Sequence, residues 1–344
     1  MNSIVAECEK KILNTFKNYE EIALYNQNKV LQAFKNNRVS QRNFYPSTGY
    51  GYGDIGKETL CRVYAEIFGA ESALVTPLIA SGTHAINICL HSQLLPGEKM
   101  LCITGKPYDT ICASIFDKNT GSLADYDVKT DVIDLKNGCF DTDAILSALQ
   151  KKAYKYKMVY IQRSRGYEWR ETICVKSLEN ICKVIKQMDE NVLIFVDNCY
   201  CEFVERQEPI EVGVDLAAGS LIKNAGGGFA PTGGYIAGNA AAVLACSYRL
   251  TASKIGNEIG SNPAGYTSYY TGVFMAPHIV LQAVKSSLLF GEIFRHFNLE
   301  TLPAKRFLSD ITRAVKLNVP QKLEAFVRAI QAASPVDSFV VPYA

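Results

Sequence analysis

The sequence predicts an α/β fold, a mostly parallel sheet with helices on both faces, and three observations carry that prediction. From Ser72 onward, short apolar runs alternate with stretches of helical period, the pattern of strands joined by crossover helices. Two of these runs deliver polar groups at their ends, Asp197 after one and Ser220 and Lys223 after another, where parallel sheets open onto a crevice. The length of 344 residues and the 48% hydrophobic content suffice for one large core with a smaller piece beside it.

Taken in order, residues 2 to about 37 read as helix, because Ile4, Val5, Cys8, Ile12, Leu13 and Phe16 recur at steps of mostly three and four. The Tyr/Gly-rich stretch Tyr45 to Asp54 suits no regular element and reads as an ordered loop, with helix resuming near Glu58. Apolar runs place strands at 72–76, 99–103, 157–161, 192–196, 215–221 and 233–237. Helical periods fall between them at 83–94, 109–117, 141–151 and 176–189, and again from 239 to 251. Apolar periods at 273–297, 301–316 and 320–333 predict helices leading into a smaller domain, opened by residues 335–344 with a strand beginning at Val340. The expected organisation is a helical arm and loop over 1–57, a large domain over 58–272, and connecting helices with the start of an incomplete small domain over 273–344.

Charge is nearly balanced, at a formal +2 with 20% charged residues, which argues against a polyanion-binding surface and against disorder. Nucleic acid is therefore not an expected partner. The eleven cysteines are odd in number, and several lie in apolar stretches such as Ile88-Cys89-Leu90, so they read as reduced. The first residues carry acids early rather than a basic then apolar leader, and no apolar run approaches the ~20 residues of a membrane span, so the cytosol is the expected location and no membrane partner is expected. The four histidines and Cys199-Tyr200-Cys201 make no paired ligand spacing, and no metal site is expected.

The chemistry concentrates at Asp197 and Lys223. Asn191 to Asn198 is an apolar strand ending in a carboxylate, and Ser220-Leu221-Ile222-Lys223 puts an amine at the end of another strand, before the run Gly226-Gly227-Gly228, where backbone could approach a ligand. Each residue alone is also what a helix cap or a solvated loop charge looks like. Together they suit pyridoxal 5′-phosphate (PLP), whose chemistry needs an amine to form an imine and an acid to keep the pyridine protonated. Ser81-Gly82-Thr83 opens a helix after the strand at 72–76, where free backbone N–H groups suit a phosphate, although the same triplet is an ordinary N-cap. Tyr108, past the strand at 99–103, could stack on a planar ring or pack locally in its turn.

These segments, in this order, resemble the PLP-dependent cystathionine/methionine lyase group of the aspartate-aminotransferase superfamily. More narrowly, Tyr50 to Glu58, Ser81 to Ala85, Gln162-Arg163-Ser164-Arg165-Gly166-Tyr167 and Val196 to Phe203 look like the methionine γ-lyase-like proteins often labelled aluminium resistance proteins. The resemblance implies the PLP-dependent transferase-like fold (aspartate aminotransferase fold type I), with a mostly parallel seven-stranded sheet. It also implies roles: Lys223 forms the Schiff base, Asp197 holds the pyridinium, Tyr108 stacks, and Gly82, Thr83 and the Ser220 hydroxyl hold the phosphate, with Ser81 beside them. In the wider group a Tyr-x-Arg pair from a neighbouring subunit reaches the phosphate. Tyr50 and Tyr52 occupy the comparable loop, but the arginine is absent, and Ile222 stands where a phosphate-binding Thr is common. Arg163 and Arg165 are candidates for the substrate carboxylate or for solvated loop cations.

The implied activity is a carbon–sulfur lyase acting on a cystathionine-, cysteine- or methionine-like amino acid, in a homodimer or homotetramer with shared sites. Transamination and γ-replacement use the same lysine and acid. A non-catalytic PLP-binding protein of metal stress is the alternative of another class, although Asp125, Asp127, Asp131 and Asp134 read as solvated charges rather than a cation site.

Overall fold

The computed structural model describes residues 2–150 and 155–342. The N-terminal segment is two helices, α1 (Asn2–Lys10) and α2 (Leu13–Asn36), rather than one. The break follows a tightening to three-residue bonds, Lys11 N–H to Cys8 O and Ile12 N–H to Glu9 O, which turns Ile12 fully into the core. After the Tyr/Gly loop, α3 (Ile55–Phe68) starts at Asp54, whose carboxylate accepts the Lys57 N–H at 2.9 Å. It ends at Gly69, left-handed at φ +66, with the Ala70 N–H returning to Ala65 O at 2.8 Å.

The sheet comprises β1 (Ser72–Thr76), β2 (Lys99–Cys102), β3 (Lys129–Val132), β4 (Met158–Gln162), β5 (Leu193–Asp197), β6 (Leu216–Ser220) and β7 (Gly234–Gly238), in the order β1-β7-β6-β5-β4-β2-β3. Only β7 runs antiparallel to its neighbours β1 and β6. The helices α4 (Gly82–Gln93), α5 (Asp109–Phe116), α6 (Thr142–Leu149), α7 (Val175–Met188) and α8 (Ala240–Leu250) cover it together with α3. This is the fold type I architecture of PLP-dependent enzymes. Strands β4, β6 and β7 are buried along their whole length because helices cover both faces, which is why they read as unbroken apolar or small-residue runs. The expected helix over 141–151 ends at Leu149, and its last residue lies outside the described residues.

Strand β6 reads Leu-Ala-Ala-Gly-Ser, and its short side chains let α4 lie close on it. That closeness brings the N-terminus of α4 beside Ser220: a Cβ added at Gly82 would sit 3.1 Å from both Ser220 Cβ and Cys199 Sγ.

Helix α9 (Thr267–His296) crosses the expected boundary at 272/273 and is long and apolar enough, by length and composition, to span a membrane. Here Val273, Ala276, Val280, Val284 and Leu288, spaced three and four apart, are buried in the cluster that α2 and α3 also supply. Each of the valines and the leucine contributes about 1.5–3 kcal/mol on burial. Beyond it, the expected helix over 301–316 is absent. The chain instead pairs β8 (Thr301–Leu302) with β9 (Ala314–Val315) around an irregular stretch. Leu308 is held through both backbone groups by the Tyr19 hydroxyl, at 2.6 and 2.8 Å, which ties the middle of the stretch to α2. Helix α10 (Pro320–Ala333) forms as expected. The strand expected from Val340 does not form over 340–342, and 343–344 lie outside the described residues.

Candidate active site

A cavity of about 240 Å3 opens where β4, β5 and β6 end, and it gathers Thr83, Tyr108, Asp197 and Lys223 from four separate segments. Asp197 is the last residue of β5, 2% exposed, with Oδ1 accepting the Cys199 N–H at 3.0 Å. Burial raises its pKa above the ordinary carboxylate value, against the Cys199 hydrogen bonds and the Lys223 charge, which pull it down. Lys223 follows β6, and its Nζ lies 3.8 Å from the centre of the Tyr200 ring. Burial disfavours its charge, but Cys199, Tyr200 and Asp197 outweigh that and leave its pKa above the usual lysine value.

Tyr108 forms one wall. Its N–H donates to Gln162 Oε1 at 3.0 Å, and its hydroxyl lies 3.0 Å from Thr83 Oγ1. Burial, then the Asp197 charge, pushes the phenol up to about 12, so it stays neutral. Ser81 is not in the lining: its hydroxyl oxygen caps α4 by accepting the His84 N–H at 3.1 Å. The backbone N–H groups of Gly82 and Thr83 remain free at that helix start.

These residues fit PLP by a direct criterion. The Ser220 hydroxyl is fully buried beside the α4 N-terminus with no hydrogen-bond partner among the described residues, an arrangement that costs about 1–3 kcal/mol unless a ligand acceptor completes it. A phosphate at that helix start would meet Ser220 and the free N–H groups of Gly82 and Thr83, and a buried carboxylate stands ready for a protonated ring nitrogen.

Several expectations change. Two of the three glycines in Gly226-Gly227-Gly228 meet α9 rather than a ligand: a Cβ on Gly227 would lie 2.2 Å from Gly272 O and one on Gly272 2.3 Å from Gly226 O, so they let the Lys223 segment pack directly on that helix, while Gly228 is exposed. Arg163 is fully buried and outside the lining. It donates to Ile173 O at 3.1 Å, Asn198 Oδ1 at 2.6 Å and Glu205 Oε2 at 2.7 Å, so it is a structural tie rather than a substrate ligand or a solvated cation. Arg165 lies between the lining residues Ser164 and Gly166, donating from Nη1 to Leu302 O at 2.9 Å; its Nη2 stands 3.8 Å from Asp310 Oδ1, and its buried Nε and Nη2 have no hydrogen-bond partner among the described residues. Tyr50 and Tyr52 are 74% and 68% exposed and do not reach this cavity, their rings packed together at 5.7 Å. The Gly260 N–H holds Tyr50 O at 2.9 Å, and Gly51 passes so close to Ser261 that a Cβ would sit 2.7 Å from its N.

Tyr200, Cys199, Ser164 and Thr312 also line the cavity; the first three lie in runs that carry the resemblance, but the sequence assigned none of the four a role. Tyr200 adopts φ +72, a left-handed conformation that costs a tyrosine about 1–2 kcal/mol. Asn224 Nδ2, one residue after Lys223, holds Tyr200 O at 2.9 Å and Glu202 O at 3.0 Å. Glu202 is itself fully buried, accepts the Tyr235 hydroxyl at 2.9 Å, and is pushed by burial up to about 8. Beyond its place in the run Val196 to Phe203, three residues after Asp197, the tyrosine carried no sequence signal of this role.

The family model for methionine gamma-lyase matches residues 1–344. A provisionally named cystathionine beta-lyase involved in aluminium resistance, from Listeria monocytogenes, is 44% identical over 100% of this chain and 85% of its own, with a TM-score of 0.97. A carbon-sulfur lyase involved in aluminium resistance, from Clostridium novyi, is 41% identical over 99% of this chain and 82% of its own, with a TM-score of 0.95. At the level of fold alone, the pyridoxal-5′-phosphate-dependent protein YhfS of Escherichia coli matches with a TM-score of 0.67 at 14% identity, over 92% of this chain and 82% of its own.

Proposed function

The chain belongs to the methionine gamma-lyase family, and we propose that, as a PLP-dependent carbon–sulfur lyase, it cleaves a sulfur-containing amino acid with Lys223 as the amine that carries the cofactor. The observation that carries this reading is the convergence of the Lys223 amine and the Asp197 carboxylate in one cavity, beside the unpartnered Ser220 hydroxyl.

PLP, when bound, supplies an electron sink for the charge that develops at the substrate α-carbon. Asp197 keeps a proton on the ring nitrogen, since a buried carboxylate is stabilised by a facing cation. Ser220 and the N–H groups of Gly82 and Thr83 bind the phosphate, and Tyr108 forms the wall against the ring. Lys223 Nζ would be the base that takes the substrate α-proton and the acid that returns it to the departing sulfur. Arg165, whose Nε has no hydrogen-bond partner among the described residues and whose Nη2 meets only Asp310 Oδ1 at 3.8 Å, is the proposed ligand of the substrate carboxylate. Overall, substrate and one water give a thiol, a 2-oxo acid and ammonia.

The exposed Tyr50 and Tyr52 fit a homodimer or tetramer in which this loop completes a neighbour's site. All eleven cysteines are unpaired, which agrees with a cytosolic location.

The test is incubation of PLP-loaded protein with sulfur amino acids. Thiol and 2-oxo acid released in equal amounts support the lyase. Pyridoxamine phosphate accumulating without thiol would replace it with transamination.

A further inference from the structure

Tyr200 has no part in binding the phosphate, the ring nitrogen or the substrate carboxylate, yet Lys223 Nζ lies 3.8 Å from the centre of its ring, inside the same cavity. That position is imposed on the tyrosine. Its backbone is left-handed, at φ +72, and a conformation that unfavourable persists only where the surroundings hold it. Two hydrogen bonds to its carbonyl oxygen do so. One comes from Asn224 Nδ2 at 2.9 Å, on the residue after Lys223, and the other from the Ile311 N–H at 3.2 Å, on the residue before Thr312 of the cavity wall. Both go to the main chain, so they fix the ring against the lysine and survive a change of side chain.

The other groups around Lys223 are weaker partners for a cation. Burial holds the Cys199 thiol well above its ordinary value, so it is uncharged at neutral pH, and Glu202 is pushed up to about 8. Tyr108 on the facing wall is likewise neutral, and Ser164, Gly166 and Thr312 bring no charge. Asp197, at the end of β5, also faces the amine, but PLP draws on that carboxylate for its ring nitrogen. The face of an aromatic ring attracts an ammonium without being ionised and without taking its proton, and more strongly where water is excluded.

Building on the lyase reading above, which needs Lys223 first as a base and then as an acid, we propose that Tyr200 is the positioning residue for the free Lys223 amine: its ring receives the amine as an ammonium and keeps the proton on Nζ until the departing sulfur takes it. Tyr200 itself exchanges no proton. Without the attraction of the ring, the amine is unprotonated more of the time, which favours its base form at the expense of its acid form.

The readout is the reactivity of the Lys223 amine in the full-length protein stripped of PLP, measured by trace acetylation with acetic anhydride and peptide mapping, because only the unprotonated amine reacts. Tyr200→Leu, which keeps both backbone bonds, should raise the rate at Lys223 about twofold to thirtyfold, as expected for losing one contact between an ammonium and a ring. Tyr200→Phe should stay near wild type. Phenylalanines carrying one, two or three ring fluorines at position 200 change size little but drain negative charge from the ring face. With them the rate should climb step by step toward that of Tyr200→Leu, a trend that a space-filling side chain would not produce. A flat fluorination series, or a Tyr200→Phe as reactive as Tyr200→Leu, would overturn the assignment. A climbing series in a protein that releases no thiol from any sulfur amino acid would instead keep the hold of Tyr200 on the amine and overturn the lyase.

Discussion

Replacing Asp197 with asparagine should separate cofactor binding from stability, with opposite signs. Asparagine keeps an oxygen for the Cys199 N–H, now at 3.0 Å, and loses only the charge. With PLP, the lost interaction is a charge-assisted hydrogen bond in a buried site, worth about 1.5–3 kcal/mol, which weakens cofactor affinity roughly 10- to 150-fold. Without PLP the effect reverses. The folded-state pKa of Asp197 is raised above the ordinary 3.8 of an aspartate, so the unliganded wild type loses stability as pH rises from near 4 through that raised pKa. The asparagine variant carries no such loss, and its cofactor-free Tm at pH 7.5 should equal or exceed that of wild type. Visible-absorbance titration measures the affinity and thermal melts of stripped protein measure the stability. Wild-type PLP affinity in the variant, or a cofactor-free variant that melts clearly below wild type, would refute the reasoning.

Ser220→Ala should behave similarly: it removes a buried hydroxyl with no partner, so the stripped protein should be no less stable, while PLP binds about tenfold more weakly in equilibrium dialysis. Arg163→Ala should cost roughly 3–5 kcal/mol in urea unfolding, because it leaves Glu205 buried without its 2.7 Å ion pair; a loss confined to activity would contradict the structural role given to it. Glu202 is raised from 4.5 to about 8, so the folded state holds a proton that the unfolded state has released between those values. Stability of the wild type relative to Glu202→Gln should therefore fall as pH rises from about 5 to about 8 and level off above, a trend read from paired melts across that range. A flat difference would mean that the carboxyl is not isolated from solvent.

The central sheet was legible where burial imposes a pattern. Strands β4 to β7 read directly because both of their faces are covered, whereas β3, Lys-Thr-Asp-Val at the sheet edge and partly exposed, gave no apolar run and went unseen. Asp197 and Lys223 were legible because a strand end fixes where a side chain emerges. Arg163 was misleading because sequence does not reveal partners: Asn198 and Glu205, which claim it, lie 35 and 42 residues away. The glycines after Lys223 were read as room for a ligand, but their function depends on Gly272, a residue of a helix that packs there only in the fold. The segment 301–316 kept an apolar period without a helix because its ends pair with each other as β8 and β9 and Leu308 between them answers to Tyr19 on α2.

The claim on which the rest depends is that Lys223 carries the cofactor. Borohydride reduction of the PLP-loaded protein, followed by peptide mapping, should place the phosphopyridoxyl group on Lys223 alone, and Lys223→Ala should take up no label and show no visible band. A label on another lysine, or an undiminished band in Lys223→Ala, would contradict it.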